Sequence, residues 1–137
     1  MQRTMLKSKI HQVTVTNVDL DYMASIKIDK SLMMTSDIRE YEQVHIYNLN
    51  NGERFTTYAI EGPEGLGQIC VNGAAARKVV KGDLLIIATY SEFSDNDLDK
   101  YTRIDAEGNY SQEAYKPKVI LVGWNEIHKR NEIVEVK

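Results

Sequence analysis

The residues with chemistry to offer are a serine that opens a new extended run, one strand rich in Arg, Thr and Tyr, two neighbouring cations, and a stretch of very small residues. Ser25 follows Tyr22, Met23 and Ala24, where one extended run breaks and the next, residues 25–30, begins. A serine hydroxyl after a small residue is able to attack a nearby carbonyl when a donor stands ready for the oxyanion. By itself, though, Ser25 reads as an ordinary turn residue. Arg54, Thr56 and Tyr58 fall on one face of a single predicted strand, with Thr57 on the other. A guanidinium there can grip a carboxylate with two parallel hydrogen bonds, and a phenol can deliver a proton. The same residue types are common on barrel surfaces. Lys9 and His11 also share a strand face, where simple solvation would explain them. His11 has no partner at metal-ligand spacing, since His45 and His128 stand far off, so a zinc site is not expected. Asn72 is a favoured helix N-cap, and Gly73, Ala74 and Ala75 after it would let an anion approach the unpaired amides of a helix start. A tightly packed helix start without a ligand has the same composition. Each signal is weak alone; together they describe a pocket for a small dianion beside a serine at a break in the chain.

Length and composition narrow the class. The 137 residues suit one domain, 1–137, with its own core. A formal charge of −3 argues against a nucleic-acid module, which would normally carry a basic face. The one cysteine, Cys70, has no partner for an internal disulfide, which suits a reducing compartment. Its apolar setting, Ile69-Cys70-Val71, favours packing over nucleophilic attack. No stretch reaches the roughly 18 apolar residues of a membrane span, and residues 1–9 lack the apolar segment of a signal peptide. A cytoplasmic location is the expectation.

The elements that must position these residues are mostly short strands. Ile10 lies out of phase with Val13 and Val15, which predicts a bulge near Gln12 in an extended first strand. Residues 25–29 alternate, with Ile26 and Ile28 inward and Lys27 and Asp29 outward; a short helical turn over 31–37 follows, capped by Asp29 or Ser31. Val44 and Ile46 share a face of the next strand. Asn50-Asn51-Gly52 is the strongest turn signal, and it leads into a return strand over 53–60. A loop over 61–67, a strand over 68–71 and a helix over 72–80 come next. Residues 84–90 are apolar on both faces and read as a central strand. Residues 91–116 are polar and acidic and read as an excursion from the domain, ordered by contacts with neighbours. Strands resume over 118–124 and 131–137. Many short strands with two brief helices predict a small β-barrel.

Taken in order, these stretches resemble the pyruvoyl-dependent aspartate 1-decarboxylase family. The likeness is carried by residues 5–11, by Asp19 to Tyr22 with Ser25, by Asn51 to Ala59, and by Val71 to Ala76 with Gly82 and Asp83. It runs in continuous register over roughly residues 3–90 and leaves the acidic excursion outside. It implies a mainly β fold, a six-stranded double-psi β-barrel with short helices, assembled as a homotetramer with active sites between subunits. It implies decarboxylation of L-aspartate to β-alanine, toward pantothenate, by a pyruvoyl group formed from Ser25 when the chain cuts itself between Ala24 and Ser25. Thr57 matches the residue that assists the oxyanion of that cut, with Asn72 positioning groups and Tyr22 packed beside it. Arg54 matches the carboxylate clamp, Tyr58 the proton donor, and Gly73, Ala74 and Ala75 the backbone segment that binds substrate. Lys9 and His11 set the charge of the site. One departure stands out: the family has glycine where this chain has Ala24, and alanine tolerates strained turns less well. A barrel that no longer cleaves and only binds a small dicarboxylate is therefore the alternative.

Overall fold

Gln12 interrupts β1 (Gln2–Thr14) with a left-handed φ of 68°. Ile10 and Val13 are both wholly buried, and only an extra residue between them lets both face the core. The pairing with β7 (Leu84–Ser94) slips at the same place, between His11 and Val13. The computed structural model describes residues 1–23, 25–99, 102–104, 106–112 and 115–137, with 102–104 and 110–112 as backbone.

After β1 come β2 (Asn17–Asp19), β3 (Ser25–Asp29), α1 (Lys30–Thr35), β4 (Gln43–Asn48), β5 (Arg54–Gly62) and β6 (Ile69–Asn72). A six-residue 3-10 helix (Gly73–Lys78) leads to β7, and α2 (Asp95–Asp99), β8 (Thr102–Ile104), β9 (Tyr110–Gln112), β10 (Lys118–Asn125) and β11 (Arg130–Val136) complete the chain. The protein is mainly β. Nine strands make one sheet in the order β11-β10-β1-β7-β4-β5-β3-β6-β2, and β8 pairs with β9 apart from it. Three neighbouring pairs are parallel, β1 with β10, β3 with β5 and β2 with β6. The ladder is open between β11 and β2. Thr16, just past β1, nevertheless bridges to Ile69 of β6 through both backbone and hydroxyl. The Asn131 side chain of β11 accepts from the Thr14 amide and donates to the Thr14 and Gly67 carbonyls. These ties gather the strands around one core that includes Ile10, Ile26, Ile28, Val44, Ile46, Ile87 and Ile120. Each such side chain contributes roughly 1.5–3 kcal/mol by leaving water. No helix among the described residues is long and apolar enough to cross a membrane.

Three expectations are corrected. Asp29 does not point outward with Lys27; it is buried. Its carboxylate caps α1 by accepting from the Ser31 amide and hydroxyl, and also accepts from the Gly67 amide. Burial pushes this carboxyl up, but those donors, with Gly65, outweigh it and hold the group below its ordinary value. The expected helix over 72–80 is the short 3-10 turn, and Asn72 makes no side-chain cap bond to it. Its side chain is engaged elsewhere, and so short a turn has little macrodipole. The acidic excursion does not begin at Ser91: β7 continues to Ser94 because Gln2 to Leu6 of β1 pair with it in register. Beyond Ser94 the chain forms α2 and then the β8–β9 hairpin; positions 100, 101, 105, 113 and 114 of the excursion lie outside the described residues.

Candidate active site

Ser25 is the first residue of β3 and is buried, because its antiparallel partner across to β6 is Asn72. The Asn72 amide donates to the Ser25 hydroxyl oxygen at 3.2 Å, and that hydroxyl reaches the Met23 carbonyl at 3.4 Å. Asn72 is itself held from the far side, since the Cys70 thiol donates to its side-chain oxygen at 3.1 Å. Burial, with Asp19 adding to it and Lys27 opposing, raises the thiol pKa. Cys70 is therefore a neutral donor that orients Asn72, a role its apolar neighbours in sequence do not reveal. Tyr22, Lys27, Cys70 and Asn72 line a groove of about 320 Å³ beside this serine. Tyr22 is half-exposed, with the Lys27 ammonium 5.7 Å from its ring centre. Gly73 is buried, Ala74 exposed, and Ala75 packs against the core. Ala24 lies outside the described residues.

A second group occupies the outer face of the sheet. Arg54, Thr56 and Tyr58 alternate along β5 as the spacing predicts, while Thr57 lies opposite buried Val44, on the core side with Phe55 and Ala59. Lateral register sets Arg54 beside Tyr47, Tyr47 beside Ile86, and Ile86 beside His11. The next row runs Thr56, His45, Ala88, Lys9. His11 has a buried Nδ1 with no hydrogen-bond partner among the described residues. Burial, then the cations Lys9 and Lys137, lower its pKa, so the imidazole is neutral near neutral pH. The Arg54 guanidinium carbon lies 4.1 Å from the Tyr47 ring centre, and the Tyr47 and Tyr90 hydroxyls are 2.7 Å apart. The Tyr58 ring lies 6.4 Å from that of Tyr41. Tyr47 and Tyr90 are not residues that the sequence singles out, and His45 enters there only as too distant to share a metal with His11. Only Tyr47, in register with Arg54 across the Asn51-Gly52 turn, carries a signal that could have found it.

Along the sheet the two groups are joined through β5, which pairs with β3 on one edge and β4 on the other. Ile26 is registered with Ala59, so the start of β3 lies against the Thr57–Tyr58 segment. Arg54 and His11 are three strand spacings apart, ~14 Å, and Lys9 is four spacings, ~19 Å, along the sheet from Ser25. Within one chain, therefore, the structure brings Ser25 together with Asn72, with Tyr22 on the groove that Asn72 lines; it keeps Lys9 and His11 on β1 and sets Arg54 apart from them across β4 and β7. A larger cavity, about 790 Å³ beside Trp124 and Lys81, contains none of these residues. Volume is a poor guide here, because that cavity lacks the convergent reactive groups that surround Ser25.

A family model described as Aspartate decarboxylase matches residues 1–128. The chain is 47% identical over 137 residues to the aspartate 1-decarboxylase of Cupriavidus necator, covering 100% of this chain and 98% of that protein. It is 48% identical over 123 residues to that of Ralstonia pickettii, 90% of this chain and 91% of the relative. Over 90 residues it is 66% identical to that of Syntrophus aciditrophicus, 66% of this chain and 78% of the relative.

Proposed function

Because this chain belongs to the aspartate decarboxylase family, we propose that it converts L-aspartate to β-alanine and carbon dioxide using a pyruvoyl group made from its own Ser25. The observation that supports this best is the buried Ser25 hydroxyl, held between an upstream carbonyl and the amide of Asn72, which itself lines a small groove. The hydroxyl oxygen attacks the carbonyl of residue 24, and the peptide nitrogen departs as the ester forms. Thr57, on the segment against which β3 begins, supports the oxyanion. Elimination of residue 24 as its carboxylate, then addition of water with loss of ammonia, turns residue 25 into a pyruvoyl cap on residues 26–137. That group supplies the electron sink for the pair released with carbon dioxide.

The residues present fit such a group: Asn72 offers a buried donor at its oxygen's position, and the groove has room for a small amino acid. Gly73, Ala74 and Ala75 present backbone to the substrate. Arg54 grips a carboxylate, Tyr58 returns a proton to the carbon left behind, and Lys9 with neutral His11 sets the local charge. Since Lys9 and His11 lie four strand spacings along the sheet from Ser25, and Arg54 lies toward the opposite end of β5 from the residues beside Ser25, a neighbouring copy supplies them, in keeping with a homotetramer. The parallel pairs and the Thr16–Ile69 tie are in keeping with a double-psi barrel core. The product β-alanine serves pantothenate formation.

Intact mass of the purified chain tests the reading. The expected result is two pieces, residues 1–24 and a blocked piece 25–137, with carbon dioxide released from aspartate; Ser25→Ala leaves one piece and no release. A single full-length species that aspartate stabilises thermally without turnover would overturn it in favour of a dicarboxylate-binding barrel.

A further inference from the structure

We propose that Tyr47 and Tyr90 form a hydroxyl-linked platform that holds the Arg54 guanidinium ready for a carboxylate, which makes both of them positioning residues for aspartate recognition. The inference rests on the reading of Arg54 as the carboxylate clamp.

Arg54 is exposed and has no carboxylate partner among the described residues. Its guanidinium instead lies over the Tyr47 ring, 4.1 Å from the centre. An aromatic face attracts the cation without using its N–H donors. A carboxylate neighbour would orient the same side chain but would occupy the fork that a substrate must fill. Stacking therefore does what an ion pair could not: it restrains a long, flexible side chain and leaves its donors open. A side chain restrained beforehand loses less freedom on binding.

The platform has to be rigid for this to matter. Tyr47 stands on β4 between Arg54 of β5 and Ile86 of β7. Its hydroxyl is 2.7 Å from that of Tyr90, whose ring is pinned edge-on by His45 at 4.9 Å and 83°. His45 in turn lies 3.5 Å from the Thr56 hydroxyl, on the same strand as Arg54. The linked rings thus run from Arg54 back to Thr56, both on β5. The hydrogen bond with Tyr47, then burial, raises the Tyr90 pKa against the opposing pull of Arg54. The Tyr90 phenol therefore stays neutral at neutral pH and does not become an anion that would compete for Arg54.

Steady-state kinetics with aspartate, together with calorimetric binding of succinate to the uncleaved Ser25→Ala protein, test the inference. The second arm reads the Arg54 clamp whether or not the chain processes itself. Tyr90→Phe and Tyr47→Phe are each expected to raise KM, and the succinate Kd, about threefold to tenfold, with kcat held within about twofold. The double variant should be no worse than either single one, because both remove the same hydrogen bond. Tyr47→Leu, which removes the ring, should cost about tenfold or more. Unchanged KM and Kd in Tyr47→Leu while Arg54→Ala loses binding would overturn the platform and leave the proposed function standing. Silence of Arg54→Ala as well would overturn the clamp itself. A fall in kcat with KM unchanged would also sink it, since positioning for binding moves the other parameter. Unfolding midpoints of the variants separate all of these from a loss of folding.

Discussion

At the scale of single residues, the proposed chemistry depends on how neighbours hold Ser25 and Asn72. The Ser25 hydroxyl sits where it does because the Asn72 amide reaches across from β6, and Asn72 is held there by Cys70. Asn72→Ala removes the donor at the serine and the acceptor at the thiol together. Self-cleavage should slow by about tenfold or more, read from an intact-mass time course. Cys70→Ser retains a donor at that position and should cleave nearly as the parent does. His11 gives a prediction in pH. Burial and the charges of Lys9 and Lys137 lower its pKa below the ordinary 6.5. Between the lowered value and 6.5 the unfolded chain takes up a proton that the folded chain refuses. Stability therefore falls as pH drops through that window, and His11→Gln should flatten the slope. Urea midpoints measured from about pH 7 down to about pH 5 check the sign.

At the scale of elements, the loop between β5 and β6 joins regions distant in sequence. Gly67 has a φ of +62°, and a Cβ there would stand 2.5 Å from the Asn131 carbonyl oxygen and 2.6 Å from its nitrogen. The Gly67 amide also donates to the buried Asp29 carboxylate that caps α1. Gly67→Ala should thus cost more than about 2 kcal/mol, since β6, β11 and α1 must all shift. Gly52 also has positive φ, but a Cβ there meets nothing within 4 Å. Gly52→Ala carries only the backbone strain, about 1 kcal/mol. Denaturant unfolding of the two variants separates steric clash from strain.

At the scale of the whole molecule, two groups set apart along the sheet must act on one substrate. A chain carrying Arg54→Ala keeps its own Ser25, and a chain carrying Ser25→Ala keeps its own Arg54 face. Each variant alone should fail to release carbon dioxide from aspartate at low substrate. Co-expressed, they should form mixed assemblies that recover part of the release, because some interfaces then pair an intact serine with an intact clamp. Absence of any recovery, with mixed assemblies shown by native mass, would place the complete site within one chain.

Local physics made much of this protein legible from its residues. The phase slip between Ile10 and Val13 locates the bulge at Gln12, Asn51-Gly52 marks the hairpin turn, and Asp29 followed by a polar start marks the α1 cap. Each rests on neighbours a few positions apart, and so does the alternation of Arg54, Thr56 and Tyr58. The resemblance to a known family added the roles that spacing alone left open. Other features were out of reach because the partner that decides them is far along the chain. Asp29 is buried by an amide 38 residues away, Asn72 is drawn from its capping position by a serine 47 residues away, and Tyr47 finds Tyr90 at 43. Residues 91–94 look like polar loop and are strand because β1 is long enough to pair with them. Periodicity and turn chemistry set which face a residue presents; only the packed strands decide which distant group meets it there.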